Sequence, residues 1–396
     1  MDWLKLAEAK RQQIIEQTSK LVSVNSIEQP ETAAPGAPYG AEVRRVLDYA
    51  LEMGRSTGFA TRDFEGKVGR IECGAGDKIF GILAHLDIVP AGEGWLTDPF
   101  TAVIKDGRLH GRGIIDDKGP AAAILAAMEI ASSLVPQPKC KVHLILGCNE
   151  ETGMGCMRHY VEHIPDQPDF GVTPDNSFPV VFGEKGIIRA QVTGPVTSAI
   201  VSFDAGLRPN VVPNLAKAAV KMGGLSEAEI RASFDAYLAA HHMTGELSCG
   251  NGLVSAQLNG VSCHAQAPQD GVNAATHLFA WIGQCFRDKA ACGSWETAFL
   301  SVSPYLFADP ESPFIRQLVG IYRDITGDTH TPPQVTGGGT YARMFKNHVA
   351  FGPLFPTDPP LTEGVGTLHQ ANEAIAVDHL VELCAIYARL LYEVMA

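Results

Sequence analysis

Two regimes of apolar and polar patterning alternate along the chain. From the N-terminus to about Gly186, short continuous apolar runs alternate with stretches in which apolar residues recur every three or four positions. The runs Lys78 to Ala84, Lys141 to Gly147 and Phe170 to Thr173, each ended by turn residues, predict buried strands. MDWLKLAEAKRQQIIEQTSKLV at the N-terminus and the segment Ala41 to Thr57 predict amphipathic helices. GPAAAILAAMEIASSLV, opened by Gly119 and Pro120, predicts an Ala-rich helix with proline in its first turn. Alternation of strand and helix predicts an α/β sheet with helices on both faces.

The pattern changes near Gly186. From there to about Ser303 it predicts strands (IIRAQVTG, AIVSFDAG, GLVSAQLNGVS) and two helices, Glu227 to His241 and Asn273 to Phe286, a small α+β unit. After Ser312 the first regime returns, with a helix to Thr326, the loop TGGGTYAR, the strand VAFGPLF and a closing helix from Val377. The expected organisation is therefore a discontinuous larger domain, 1–186 and 304–396, with a smaller domain, 187–303, inserted in it.

Composition narrows the function. A chain of 396 residues is long for one core, which fits two domains. A formal net charge of −13 without any basic run argues against a nucleic-acid surface. No apolar run is long enough to span a bilayer, and the charged N-terminal segment is unlike a secretory signal. Nine cysteines, an odd number without a CxxC pair, suit free thiols in a reducing compartment, so a cytoplasmic protein is expected.

Candidate chemistry collects at the strand ends, where open α/β sheets bind ligands. In FGILAHLDIVPAGEGW, His85 and Asp87 leave a hydrophobic strand two positions apart, hence on one face. HGRGIIDDKGP carries Asp116 and Asp117, KVHLILGCNEETG ends in Glu150 and Glu151, FGVTPDNSFP carries Asp175, and TLHQANE carries His369. One such residue would be bland: Asp117 before Lys118 reads equally as a helix N-cap, and a lone histidine as a core residue. Together they place adjacent carboxylates with no Arg or Lys cluster to compensate them. Burying such charges unpaired costs roughly several kcal/mol each, so divalent cations are expected. Two histidines among carboxylates suit zinc first, then manganese or cobalt, and so many donors suit two ions sharing one carboxylate.

HLDIVP, GRGIIDDKGP, NEETG, TPDNSFP, GVSCHAQAPQDGVNA and GGGTYAR, in this order, resemble the di-zinc peptidase family of aminoacylase, carnosinase and succinyl-diaminopimelate desuccinylase. DDKGP, TPDNSFP and GGGTYAR bring it nearest to bacterial PepV-type dipeptidases. The resemblance implies a metal-binding catalytic domain with a lid domain inserted in it. It implies that His85 and Asp175 hold one metal, Glu151 and His369 the other, and that Asp116 bridges them. Asp87 would orient His85, and the peptide after Asp116 would be cis. Glu150 would take a proton from a water bridging the two metals and return it to the leaving amine, with His264 donating to the developing oxyanion. Asn210, in GLRPNVVPN, is a candidate for the same pocket.

The chain also departs from that pattern. Between Phe286 and Ser312 the arginine-bearing strand that recognises a substrate carboxylate in these dipeptidases is missing, so the lid is shortened. Arg343 or Arg208 could replace that arginine, and for each a structural ion pair is an equal reading. The loop TDPPLTEGVGTLHQ before His369 is longer than the family's and could fold over the pocket. The expected substrate is a dipeptide or similar small peptide. The alternatives are an N-acyl amino acid deacylase or desuccinylase of the same fold, and a non-catalytic metal-containing binding protein. A thiol enzyme using Cys148 or Cys263 fits poorly, since Cys263 and His264 are adjacent and point to opposite faces of a strand. A monomer and a lid-mediated homodimer are both compatible with the sequence.

Overall fold

The computed structural model describes residues 1–193, 199–206, 211–263, 268–286, 296–358, 361–362 and 364–396. The chain divides into two compact units, Met1–Lys185 with Pro304–Ala396, and Gly186–Ser303.

The larger unit is built on a nine-stranded mixed sheet. Five of its strands concern the site: β1 (Val68–Gly74), β2 (Lys78–His85), β3 (Cys140–Gly147), β4 (Phe170–Thr173) and β5 (His348–Ala350). They lie side by side in the order β1-β3-β2-β4-β5. Strand β2 runs parallel to β3 and β4, and β4 parallel to β5, whereas β1 is antiparallel to β3. His85 stands opposite Gly147 in the register of β2 and β3, so both strands end at one rim.

Strand alternation sorts the core onto two faces. Ile82 and Ala84 of β2 and Leu144 and Leu146 of β3 join the main core, which holds α1 (Lys118–Leu134). Leu83 and Ile145 join a second cluster with Tyr341 and with Cys156, Met157 and Tyr160 of α2 (Gly155–His163). Helix α1, apolar over most of its surface, is buried along most of its length against α3 (Val377–Met395). At Gly119 a Cβ would stand 2.1 Å from the carbonyl oxygen of Ile114, so only glycine lets the start of α1 sit this close to the loop before it.

Two elements differ from expectation. The N-terminal helix is divided into Trp3–Glu8 and Arg11–Val22. VAFGPLF yields two short strands, because Gly352 takes a φ of 79° and Pro353 has no N–H to continue the ladder.

In the smaller unit, Ile200–Ala205, Leu215–Lys221, Leu253–Asn259 and Thr244–Gly250 form an antiparallel sheet in that order. Alternate residues of Leu215–Lys221 and Leu253–Asn259 are buried, among them Val220, Val254 and Leu258, and they pack on Ile230 and Phe234 of one helix and Leu278 and Trp281 of another. Ser226 and Glu229 cap the first helix reciprocally, and Asn273 caps the second. Ile187–Thr193 and Glu296–Ser303 pair as a separate ribbon. Among the described residues no helix is long and apolar enough to cross a membrane.

Candidate metal centre

His85, Glu150, Glu151 and Asp175 follow strand ends of the larger unit, and Asp116 and His369 lie in its loops. His85 closes β2 with its ring buried. Its Nδ1 lies 3.0 Å from the carbonyl oxygen of Asp87, which can only accept, so Nδ1 carries the proton. Nε2 lies 2.7 Å from Asp116 Oδ1, a separation that calls for a proton or a cation between the two atoms.

Asp87, expected to orient His85, meets it through the main chain. Its carboxylate stands 3.6 Å from Nδ1 and instead accepts the backbone N–H groups of Glu150 and Glu151, each at 3.0 Å. The cause is the sheet register. Because β2 and β3 are parallel neighbours, the chain leaving β3 turns across the end of β2 and aims those two amides at Asp87. Asp87 therefore fixes His85 through its main chain and the Glu150–Glu151 pair through its side chain.

Asp116 precedes α1 in a loop whose Asp116–Asp117 peptide is cis. Asp117 occupies the N-cap position of α1 without capping it, because its carboxylate accepts the backbone N–H of His85 at 3.3 Å. His369 Nε2 lies 2.9 Å from Asp116 Oδ2 and 3.2 Å from Glu151 Oε1. Two ligand groups result, His85–Asp116–Asp175 and Asp116–Glu151–His369, in each of which the candidate atoms lie within 4.8 Å of one another. Asp116 belongs to both. Glu150 adjoins them without being in either.

The electrostatics follow from crowding. Burial, then Asp175, pushes the Glu150 carboxyl well above the usual carboxylate range. Burial and Asp116 raise Asp175, and the same two causes raise Glu151 against the pull of His369. Burial opposes ionisation of Asp116 as well, but hydrogen bonds from His369 and His85 outweigh it and hold that carboxyl below the usual range. His369 is pushed up to about 10 by its hydrogen bonds with Asp116 and Glu151. A cation would relieve this crowding. Glu151 Oε1 is buried and faces His369 Nε2 at 3.2 Å, as two ligand atoms aimed at one cation would. Two imidazoles among carboxylates are donors that suit a borderline divalent ion, so the residues present fit a pair of such ions.

Other candidates fall elsewhere. Arg343 is committed to a buried ion pair: Nε donates to Glu184 Oε2 at 2.9 Å and Nη2 to the Gly338 carbonyl at 2.9 Å, with its side chain 4% exposed. It is not available as an anchor for a substrate carboxylate. Cys148 is buried, and burial pushes its thiol well above the ordinary range, which removes it as a nucleophile. His264, Asn210 and Arg208 lie outside the described residues. Part of the long loop before His369 lines a cavity of about 420 Å³ with Ile115, Ser177, Leu354, Phe355, Asp358 and His379.

One residue that sequence reasoning missed is Glu373, whose buried carboxylate takes four hydrogen bonds from the Asp116 loop. Its only signal in the sequence is a spacing of four from His369.

The sequence profile described as "Peptidase family M20/M25/M40" matches residues 81–393. "Putative dipeptidase YtjP" of Bacillus subtilis (strain 168) is 31% identical over an alignment of 470 positions that covers 99% of each chain. That span exceeds the 396 residues here, so the relative carries segments without a counterpart. Among solved structures, human carnosine dipeptidase 1 is similar at a TM-score of 0.58 and 16% identity, covering 99% of both chains. The dipeptidase Dug1p of Saccharomyces cerevisiae is similar at 0.60 and 14%, covering 99% of this chain and 98% of its own. At such identities these two likenesses concern the fold.

Proposed function

The chain belongs to peptidase family M20/M25/M40, a metallopeptidase by that membership, and from this premise we propose that it hydrolyses the amide bond of dipeptides. The observation that carries the reading is the sharing of Asp116 between two ligand groups, with a proton-avid Glu150 beside both.

In this reading His85, Asp116 and Asp175 hold one divalent ion and Asp116, Glu151 and His369 the other, with zinc the first choice and manganese or cobalt the alternatives. Bound there, such ions supply Lewis acidity, which acidifies water and polarises a carbonyl. Glu150 accepts the proton of the attacking water. Its raised pKa, caused by burial and by Asp175, then lets it hand that proton to the leaving amine, since a base matched to the working pH can give back what it takes. Asp87 keeps Glu150 and Glu151 at the rim by their amides, and its carbonyl holds the Nδ1 proton of His85 and turns Nε2 toward the ion it would ligate.

The test is to strip the protein with a chelator, reload it with zinc, manganese or cobalt, and offer panels of dipeptides and of N-acyl amino acids. The expected result is release of free amino acids from dipeptides with two ions bound per chain. Turnover of the N-acyl panel with dipeptides untouched would transfer the reading to a deacylase of the same fold. Two bound ions with no turnover of either panel would overturn it in favour of a metal-containing binding protein.

A further inference from the structure

We propose that Glu373 is a positioning residue that clamps the loop carrying Asp116 to the loop carrying His369, and that this clamp governs the affinity of the ion held by Asp116, Glu151 and His369. The inference rests on the two-ion reading above.

The His369 loop is closed at its base. Gly366 N–H donates to the Asn372 carbonyl at 2.8 Å, and Ala374 N–H returns to the Gly366 carbonyl at 3.1 Å. His369 sits within this closed turn in a left-handed backbone conformation, φ 63°, and Glu373 lies at the base. From there the Glu373 carboxylate reaches the other loop. Oε1 accepts the backbone N–H of Ile115 at 2.8 Å and of Asp116 at 3.3 Å. Oε2 accepts the backbone N–H of Gly113 at 3.0 Å and Nη1 of Arg112 at 2.6 Å. A fifth bond, from Gly111 N–H to the Glu373 carbonyl at 3.0 Å, extends the attachment.

The chemistry requires a carboxylate. Glu373 is fully buried, and three of its side-chain partners are main-chain amides of a loop that bends away from regular structure, where they have no ladder to join. Both carboxylate oxygens accept, so all four donors are satisfied at once, and Arg112, itself buried, balances the charge. A glutamine would turn an NH2 group toward one pair of donors and leave that pair unmet. Asp116 and His369 would then lose the fixed spacing that puts His369 Nε2 2.9 Å from Asp116 Oδ2. The His85–Asp175 side shares Asp116 but keeps two ligands set by β2 and β4, whereas the other side loses the setting of both Asp116 and His369, so the loss should fall more heavily on that ion.

The test is a titration of metal-free protein with cobalt(II) alone, followed by visible absorption and calorimetry, for wild type, Glu373→Gln and Glu373→Asp. Wild type is expected to bind two ions. Glu373→Gln should bind the first within a few-fold of wild type and the second about 10- to 100-fold more weakly, the size usual for loss of a ligand's supporting partner. Glu373→Asp, which keeps the charge on a shorter arm, should fall between them and partly restore the second step. A purely structural role would instead lower the melting temperature with both cobalt steps unchanged, and that result overturns the proposal, as does equal weakening of both steps. Should Glu373→Gln fail to fold, the same split between the steps is required of Glu373→Asp, and its absence is equally fatal. A wild-type chain that takes only one cobalt ion would overturn the two-ion reading along with the clamp, whereas unchanged steps in the variants overturn the clamp alone.

Discussion

The carboxylate of Asp87 accepts the main-chain N–H of Glu150 at 3.0 Å, and so reaches the proposed base through its backbone. The same carboxylate holds Glu151, a proposed ligand, at 3.0 Å. Asp87→Asn should therefore disturb more than the histidine. Its amide keeps one acceptor and turns a donor toward the second N–H, so one of the two glutamate amides goes unmet in a buried place. A fall in kcat of about 10- to 100-fold is expected, with weaker binding of the Glu151 ion. Steady-state kinetics beside a metal titration would check it; a variant altered in the His85 ion alone would contradict the assignment.

Glu150→Gln should separate ligation from proton transfer. Glu150 belongs to neither ligand group, so both ions should stay bound, and the neutral side chain fits a place where burial and Asp175 already disfavour charge. Loss of a general base costs about 10² to 10⁴ in rate. The expected outcome is a collapse of kcat with KM within a few-fold, measured on protein shown by elemental analysis to hold its metal.

Removal of metal should be felt as lost stability. Asp116, Glu150, Glu151 and Asp175 crowd one rim, and burial raises three of them toward the neutral form. An ion present at 100 times its dissociation constant adds about 2.7 kcal/mol by mass action. The melting temperature should rise on adding zinc to chelated protein, and rise less in Glu151→Gln, which keeps the shape of the side chain and loses a ligand. Equal shifts in both proteins would remove Glu151 from the ligand set.

Much of the fold was legible because buried parallel strands are short apolar runs with abrupt ends. Lys78 to Ala84 and Phe170 to Thr173 were read within a residue of β2 and β4. The candidate site was legible for the same reason, since parallel strands deliver their carboxyl ends to one rim and His85, Glu150, Glu151 and Asp175 follow such ends. What stayed hidden were partners that leave no side-chain signature. Glu373 binds main-chain amides of Gly113, Ile115 and Asp116, and Asp87 binds those of Glu150 and Glu151. Arg343 and Glu184 meet across 159 positions of sequence, with nothing in either segment to announce the other.

That pair makes a prediction of its own. Glu184 accepts Thr340 N–H at 3.1 Å and Thr340 Oγ1–H at 2.7 Å besides Arg343, and its side chain is fully buried. Arg343→Met would leave a buried carboxylate without its cation, which typically costs about 3–5 kcal/mol. The expected phenotype is a lowered melting temperature with dipeptide KM nearly unchanged. A large rise in KM at full stability would return Arg343 to the role of substrate anchor.

Acid stability should carry the mark of His348. It is buried on β5, its Nδ1–H donates to the Lys346 carbonyl at 2.7 Å, and its Nε2 has no hydrogen-bond partner among the described residues. Protonation would put a second N–H where nothing accepts it, so burial lowers the pKa to about 4. An unfolded histidine titrates near 6.5, roughly. Between those values the unfolded chain binds the extra proton, so stability is full above about pH 6.5 and falls as pH drops toward 4, by at most roughly 3 kcal/mol for this group. His143, lowered to about 4 by burial and by Arg70, acts in the same window. His348→Asn can keep the donor to Lys346 while removing the titration. Its melting temperature should be lower at pH 7.5 because a ring is lost from the core, yet decline less steeply from pH 6.5 to 4.5 than that of wild type. Parallel declines in the two proteins would mean that His348 is protonated in the folded state, against the burial described.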